Sequence, residues 1–480
     1  MDDAMGKVRS TWASLSGRAA DMVHRGADRH LRLAVTGLSG AGKTAFITGL
    51  VNQLLADRPE QQLPLWQVCR QQRLIGVRRE LQPDLRLASF DYQGAMTALT
   101  DTPPRWPSST RNISEIRLAL RYRPQQGILA KLTDSATLYL DIIDYPGEWL
   151  LDLPMLELSF EHWCQQQLAR QAILRRSPAY EAFAGALAEL DLLAKADDTR
   201  LAAIAEQYQV LLQDMVHQQG FYLAQPGRML LPGELAGTPL LAFFPVFKSA
   251  DEMATLSQAP SSSVFAVLKH RYQQYVSQVV RPFYRDHFAH FDRQVVLVDC
   301  LSALNRGKAQ FDDMTAALGD IMGSFHFGRS SLLRRLFAPR IDRLLFAASK
   351  ADHVTADQQG HMVSLLADVL QQSRHYAKFE GCTVETMAIS AIRATRPGTV
   401  QQQGETINVI QGQALDSAEP LTLFPGDVPT RLPGNAFWQG QGFEFTAFSP
   451  RPLSEDAARA TLAHIRLDHL LEYLLGDKLA

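Results

Sequence analysis

Eight residues constrain this chain more than any others. Gly37-Leu38-Ser39-Gly40-Ala41-Gly42-Lys43-Thr44 spells G-x-x-x-x-G-K-T. Residues 31–36 before it read as a short buried strand, and residues 45–55 after it carry helical periodicity. Glycines let the backbone curl so that successive N–H groups face phosphate oxygens, and the helix N-terminus adds partial positive charge. Gly37, Ser39, Gly40, Ala41, Gly42, Lys43, Thr44 and Ala45 are therefore the expected phosphate contacts. Lys43 would bridge the β- and γ-phosphates of a nucleotide, and the Thr44 hydroxyl would ligate Mg²⁺. The pattern predicts an α/β fold of the P-loop type, with the ligand at the carboxyl ends of parallel strands.

A phosphate loop alone does not separate ATPases, kinases and GTPases, but three later motifs do more. Residues 138–143 read as a strand that runs into Asp144-Tyr145-Pro146-Gly147-Glu148. A carboxylate there can hold Mg²⁺ through water, and the Gly147 N–H can reach a γ-phosphate. Glu148 stands where a side chain could orient the attacking water. A second strand, 343–348, ends in Ser349-Lys350-Ala351-Asp352. The Asp352 carboxylate can accept from guanine N1–H and the 2-amino group, whereas adenine would leave it unpaired. The Lys350 stem can lie over the base. A third strand, 384–389, is followed by Ser390-Ala391-Ile392, which can offer a backbone N–H to the guanine carbonyl. Each motif follows an apolar strand, in the order that a parallel sheet requires.

The threonine that contacts Mg²⁺ from switch I has no motif of its own. By position before the alternating strand 116–122, Thr110 is the candidate, with Ser108 and Ser109 beside it. Arg105 and Arg111 flank them as candidate cis arginines for the transition state.

These four motifs look like the G1, G3, G4 and G5 elements of translation-factor-related GTPases. More narrowly, three stretches resemble the YcjX-like family of bacterial P-loop GTPases: residues 35–39, the string D-Y-P-G-E-W-L-L-D-L-P at 144–154, and L-G-D-K-L at 475–479. The resemblance implies a Ras-like G domain, GTP and GDP as bound nucleotides, Mg²⁺ as cofactor, and a role in envelope stress. It also implies an unidentified protein partner. One departure stands out: Ser349 occupies the position where most GTPases have Asn or Thr, which puts the tightness of guanine binding in question. Two rival readings remain, a nucleotide-stabilised scaffold with negligible hydrolysis and an ATP-dependent P-loop ATPase or kinase.

Composition narrows the class further. Lys and Arg number 48 against 50 Asp and Glu, a net charge of −2 that leaves no global field for nucleic acid. The four cysteines form no C-x-x-C pair, and the acidic opening lacks the features of a signal peptide, so a cytoplasmic protein is expected.

The expected organisation begins with an amphipathic helix over 1–30, either a packed arm or a peripheral membrane contact. The first part of the G domain spans 31–150, with an insertion before switch II in which Arg73, Arg78, Arg79 and Arg86 read as solvated. A helical domain is inserted over 151–293, with helices at 179–195, 200–218 and 265–291. The second part of the G domain spans 294–395. A β-rich extension with strands at 406–410 and 443–448, and a closing helix at 464–475, fills 396–480. His287 and His290, three apart on a helix, offer a weak metal pair.

Overall fold

In the computed structural model, residues 29–109, 112–125, 129–324, 341–371, 382–415, 417, 419–440, 442–452 and 461–480 are described. The helix expected over 1–30 lies outside them but for its last two residues. Eight strands pair into one sheet: β1 (Arg29–Gly37), β2 (Leu74–Glu80), β3 (Ala88–Ser89), β4 (Ser114–Tyr122), β5 (Ala136–Asp144), β6 (Arg293–Val298), β7 (Arg343–Ala348) and β8 (Thr383–Ala388). Their order is β2-β4-β5-β1-β6-β7-β8, with β3 beside β4. From β5 to β8 all neighbours are parallel, whereas β4 runs antiparallel to both β5 and β2. β6 is buried at every position, as a parallel strand covered on both faces must be.

One face is covered by α1 (Lys43–Leu54), which directly follows the glycine-rich turn. α2 (Tyr92–Thr100) lies in the insertion before β4. The other face packs against the segment between β5 and β6, which holds α3 (Phe160–Ala169), α4 (Asp198–His217) and α5 (Val264–Tyr275). Phe160 packs between Phe265 and Tyr272, with ring centroids 5.6 and 5.7 Å away. This aromatic core is continuous with Ile143, Val296 and Phe346 on the sheet. α6 (Cys300–Arg306) follows β6, α7 (Gln359–Val369) lies between β7 and β8, and α8 (Leu467–Leu475) closes the chain. α8 buries Leu467, Leu470, Leu471, Leu474 and Leu475, the spacing of a single helical stripe, beside α1.

The residues after α8 lock the amino ends of the strands. Fully buried Arg293 donates to Asp477 at 2.7 Å and also pairs with Asp342. The Lys478 carbonyl accepts from Arg29 (2.7 Å) and from the Tyr122 hydroxyl (3.1 Å). Arg73, expected in solvent, is instead buried: its guanidinium donates to the carbonyls of Arg123 and Leu479. These two carbonyls lie 50 and 406 residues away, so no local pattern announces them.

Several expected elements differ in extent. The helix expected over 179–195 ends at Ala188. The one expected over 265–291 is interrupted by a π-helical turn at Val276–Val280 and finishes at Asp286. Pro282, which lacks an N–H and crowds the preceding turn, lies just past that disruption. Strand 406–410 forms within β10 (Glu405–Gln413), between β9 (Arg396–Gln402) and β11 (Pro420–Leu423). Residues 443–448 form no extended strand: a single antiparallel bridge joins Phe448 to Ala414, and side chains take up other backbone groups, Asn305 bonding both the N–H and the carbonyl of Phe445 and Trp106 donating to the Phe448 carbonyl.

Removing Asp477 strips one counter-charge from a buried guanidinium. Asp477→Ala should cost on the order of 1–3 kcal/mol. A lowered melting temperature checks this, and an unchanged melt contradicts it.

Candidate functional site

The phosphate loop has the backbone that its glycines permit. Gly40 and Gly42 have φ of +78° and +83°, a region that costs a side-chain-bearing residue about 1–2 kcal/mol. Gly42 is the N-cap of α1 and no side chain caps that end, so the first-turn N–H groups are presented to a ligand. Lys43 Nζ donates to the Gly37 carbonyl at 3.1 Å.

That carbonyl also meets the second motif. A Cβ built on Gly147 would lie 2.0 Å from the Gly37 oxygen, so only glycine lets this turn rest on the phosphate loop. Asp144 ends β5, fully buried, paired in register with Val35 of β1 and Ser114 of β4. Glu148 is half-buried at the start of a 3₁₀ segment, Gly147–Leu156. Asp152 within that segment accepts from the backbone of Gly227 (2.7 Å) and Arg228 (3.3 Å) and from the Tyr275 hydroxyl (2.5 Å). Burial pushes Asp152 up to about 6, against the lowering effect of these bonds.

A cavity of about 290 Å³ lies at the carboxyl ends of the strands. Its walls include Gly40, Ala41, Gly42, Lys43, Thr44 and Ala45, then Ser349, Lys350 and Asp352, then Ser390, Ala391 and Ile392. The structure thus brings the phosphate loop and both loops expected to meet the base to one space. Gly37, Ser39, Asp144, Gly147 and Glu148 do not line it; Gly37 and Gly147 adjoin it through Lys43. Ser109 does line it, whereas Thr110 and Arg111 lie outside the described residues. Arg105 is exposed and paired with Asp101. A larger open groove of about 550 Å³ between α1 and α2 offers no glycine-rich backbone to a phosphate, and the α2 N-terminus on its wall is already capped by the Asp91 carboxylate.

The S-K-A-D loop is tied to β6. Ser349 donates from its backbone N–H to the Val298 carbonyl at 3.0 Å, and its hydroxyl points to the same oxygen at 3.4 Å. Lys350, at φ +61°, pairs with Asp299, which also caps α6. Burial, the largest influence, would raise Asp299, but the Lys350 charge together with hydrogen bonds from Lys350 and Ser302 outweighs it and holds the carboxyl below its usual range. Asp352 is buried, and its Oδ2 accepts from the N–H groups of Ala394 (2.6 Å) and Thr395 (3.2 Å), which fixes its orientation.

Sequence reasoning missed one wall of the cavity. Trp106, from the segment before Thr110, donates its indole N–H to the Phe448 carbonyl at 2.8 Å, and the Phe448 ring meets His353 edge-on at 5.1 Å. All three line the cavity, with Leu415 and Ala447. Burial keeps His353 below the ordinary histidine range. Nothing local marks Trp106 or Phe448, since each acquires its place from a contact 342 residues away.

Thr44 and Asp144 supply hydroxyl and carboxylate oxygens, the hard donors Mg²⁺ takes alongside phosphate and water. Among the described residues no cluster of three or more His, Cys, Asp or Glu could hold a metal, and His290 sits in a 3₁₀ turn. No helix among them is long and apolar enough to cross a membrane.

The parallel sheet, the phosphate loop and the base-side loops around one cavity define a Ras-like α/β P-loop protein with a large helical insertion and a small β-rich C-terminal extension. A family model described as "YcjX-like family, DUF463" matches residues 31–479, and the chain belongs to that family. It is 61% identical over 485 residues to the "Ras-like GTPase YcjX" of Shewanella oneidensis, across 99% of this chain and all of that protein. To the protein of the same name from Escherichia coli it is 47% identical over 464 residues, across 95% of this chain and 98% of that one.

Next to the Asp144–Ser114 pair stands Glu115, 1% exposed, with neither carboxylate oxygen hydrogen-bonded. Burial first, then the Asp141 charge, push it up to about 7, against the lowering effect of Arg32 and Arg117. A carboxyl raised in the folded state contributes stability that is fully present below its ordinary value of 4.5 and is lost as pH rises through about 7. Relative to Glu115→Gln, the parent should therefore melt at progressively lower temperature from pH 5 to pH 8, taken as roughly spanning this window. Parallel pH profiles for the two proteins would refute it.

Proposed function

We propose that this chain is a Mg²⁺-dependent GTP-binding protein that hydrolyses GTP to GDP and phosphate and changes conformation as it does so. The observation that carries the reading is the single cavity walled by the phosphate loop, Asp352 and the Ser390–Ile392 turn. The names of its relatives, Ras-like GTPases, support the same reading.

On this reading the N–H groups from Gly40 to Ala45 hold the phosphates and Lys43 leaves the Gly37 carbonyl for the β- and γ-oxygens. Thr44 and Asp144, with Thr110, would hold Mg²⁺, which neutralises phosphate charge when bound. Gly147 offers its N–H to the γ-phosphate, and Asp352 selects guanine. The Ala391 backbone receives the guanine carbonyl oxygen. Glu148 orients the water whose oxygen bonds to the γ-phosphorus as the bond to the bridging oxygen breaks. A carboxylate facing the γ-phosphate repels it, so turnover is slow. That same feature favours the second reading, a GTP-stabilised scaffold, and release of phosphate in a single turnover separates the two. The family resemblance adds a stress-associated role; the conformational change would act on an unidentified protein partner, and cysteine usage suits the cytoplasm.

Base choice is the direct test. Titration calorimetry should give GTP and GDP at least roughly tenfold tighter binding than ATP, because adenine leaves the buried Asp352 carboxylate unpaired. Asp352→Asn should weaken guanine and favour xanthine nucleotides, whose 2-oxo group accepts from the amide. Equal affinity for ATP and GTP in the parent contradicts the proposal.

A further inference from the structure

A water-orienting carboxylate is useful only if its backbone is held still, and Glu148 sits in a turn with no regular strand or α-helix of its own. What holds it comes from the insertion. A Cβ built on Gly227 would lie 2.0 Å from the Glu148 carbonyl oxygen, and the next two nearest atoms, at 2.6 and 3.4 Å, also belong to Glu148. The neighbouring Arg228 lays its guanidinium over the Trp149 ring, 3.4 Å from the centroid, with only 11% of its side chain exposed. The Gly227-Arg228 dipeptide is thus pressed onto the Glu148-Trp149 dipeptide, backbone on backbone and cation on ring. Asp152 fastens the two by accepting from both N–H groups of the pressing loop, and the Gln225 amide donates to the Leu151 carbonyl. Further along the same loop, Gly233 abuts the Asn112 side chain, two residues past Thr110.

We propose that Gly227-Arg228 is a built-in clamp that positions Glu148 for hydrolysis, so that the helical insertion acts as an internal activator of the nucleotide site. This rests on the GTPase reading above. Gly227 and Arg228 are positioning residues: they touch the switch and not the nucleotide. The residue types follow from the contact. Only glycine admits the Glu148 carbonyl at that distance. Arginine supplies a flat, weakly hydrated cation able to stack on indole while buried, which lysine does less well. A methyl at Gly227 must push Glu148 aside by about 1 Å, and a misplacement of that size costs roughly 100-fold in rate.

The test uses the full chain and a double-mutant cycle. Single-turnover GTP hydrolysis is measured for the parent and for Gly227→Ala, Arg228→Met, Glu148→Ala and the Gly227→Ala/Glu148→Ala pair, with GDP affinity by calorimetry. Gly227→Ala should slow hydrolysis about 10- to 100-fold, and Arg228→Met about tenfold, both with GDP affinity within about twofold of the parent. In the double variant the alanine at 227 should cost nothing beyond Glu148→Ala, because the group it misplaces is already gone. Arg228→Met keeps the inference open to refutation should Gly227→Ala fail to fold. Parental rates for both clamp variants, with Glu148→Ala slow, overturn the clamp and leave the GTPase reading standing. Multiplicative losses in the double variant overturn it as well. A parent that releases no phosphate, or a Glu148→Ala variant at parental rate, removes the chemistry being positioned and overturns the clamp together with the role given to Glu148.

Discussion

The backbone of Gly147 rests on the carbonyl of Gly37, and no side chain fits between them. That contact joins the turn after β5 to the first residue of the phosphate loop, at the oxygen that Lys43 also holds. Everything between β5 and β6 hangs from this turn. The 3₁₀ segment that starts at Gly147 buries Trp149, Leu150, Leu151 and Leu153 in the core of the insertion. Asp152, in the middle of it, is the hub for the Gly227-Arg228 loop and Tyr275. A displacement at Gly147 therefore meets packed side chains and buried hydrogen bonds, which yield in discrete steps rather than gradually.

The opposite end of the cavity is closed by different means. The Trp106 indole is bonded to Phe448 in the C-terminal extension, and both line the space next to Asp352. Ser349 and Lys350 tie the S-K-A-D loop to the end of β6, through Val298 and Asp299, where Asn in other GTPases ties it to the phosphate loop. The extension is thus part of the cavity wall, although it lies after the last strand of the main sheet.

Much of this was legible in the sequence because it is local. The glycine-rich turn, the apolar strands that precede each motif and the i, i+3, i+4 stripe of α8 all depend on near neighbours. The convergence of the loops at one end of the sheet followed from parallel topology. What stayed hidden depends on distant partners. Arg73 reads as a solvated arginine until Arg123 and Leu479 offer it carbonyls. Nothing in the sequence singles out Gln225-Pro226-Gly227-Arg228, and only packing against Glu148 and Trp149 gives it meaning. Residues 443–448 look like a strand by alternation, yet only a single bridge to Ala414 forms, and Asn305 and Trp106 bond the Phe445 and Phe448 backbone. The short β2 and β3 ahead of β4 escaped notice because β2 is mostly exposed and β3 is two residues long.

The central claim is that the γ-phosphate, through Gly147, sets the state of the turn and of the loop clamped to it. A ligand shifts such an element only by its differential affinity for the two states. Amide hydrogen exchange of the full chain, with GDP and then with a non-hydrolysable GTP analogue, measures this directly. Exchange over residues 145–156 and 225–234 should be slower with the analogue, while α8 should exchange alike in both states. Identical exchange over the two segments would contradict the account.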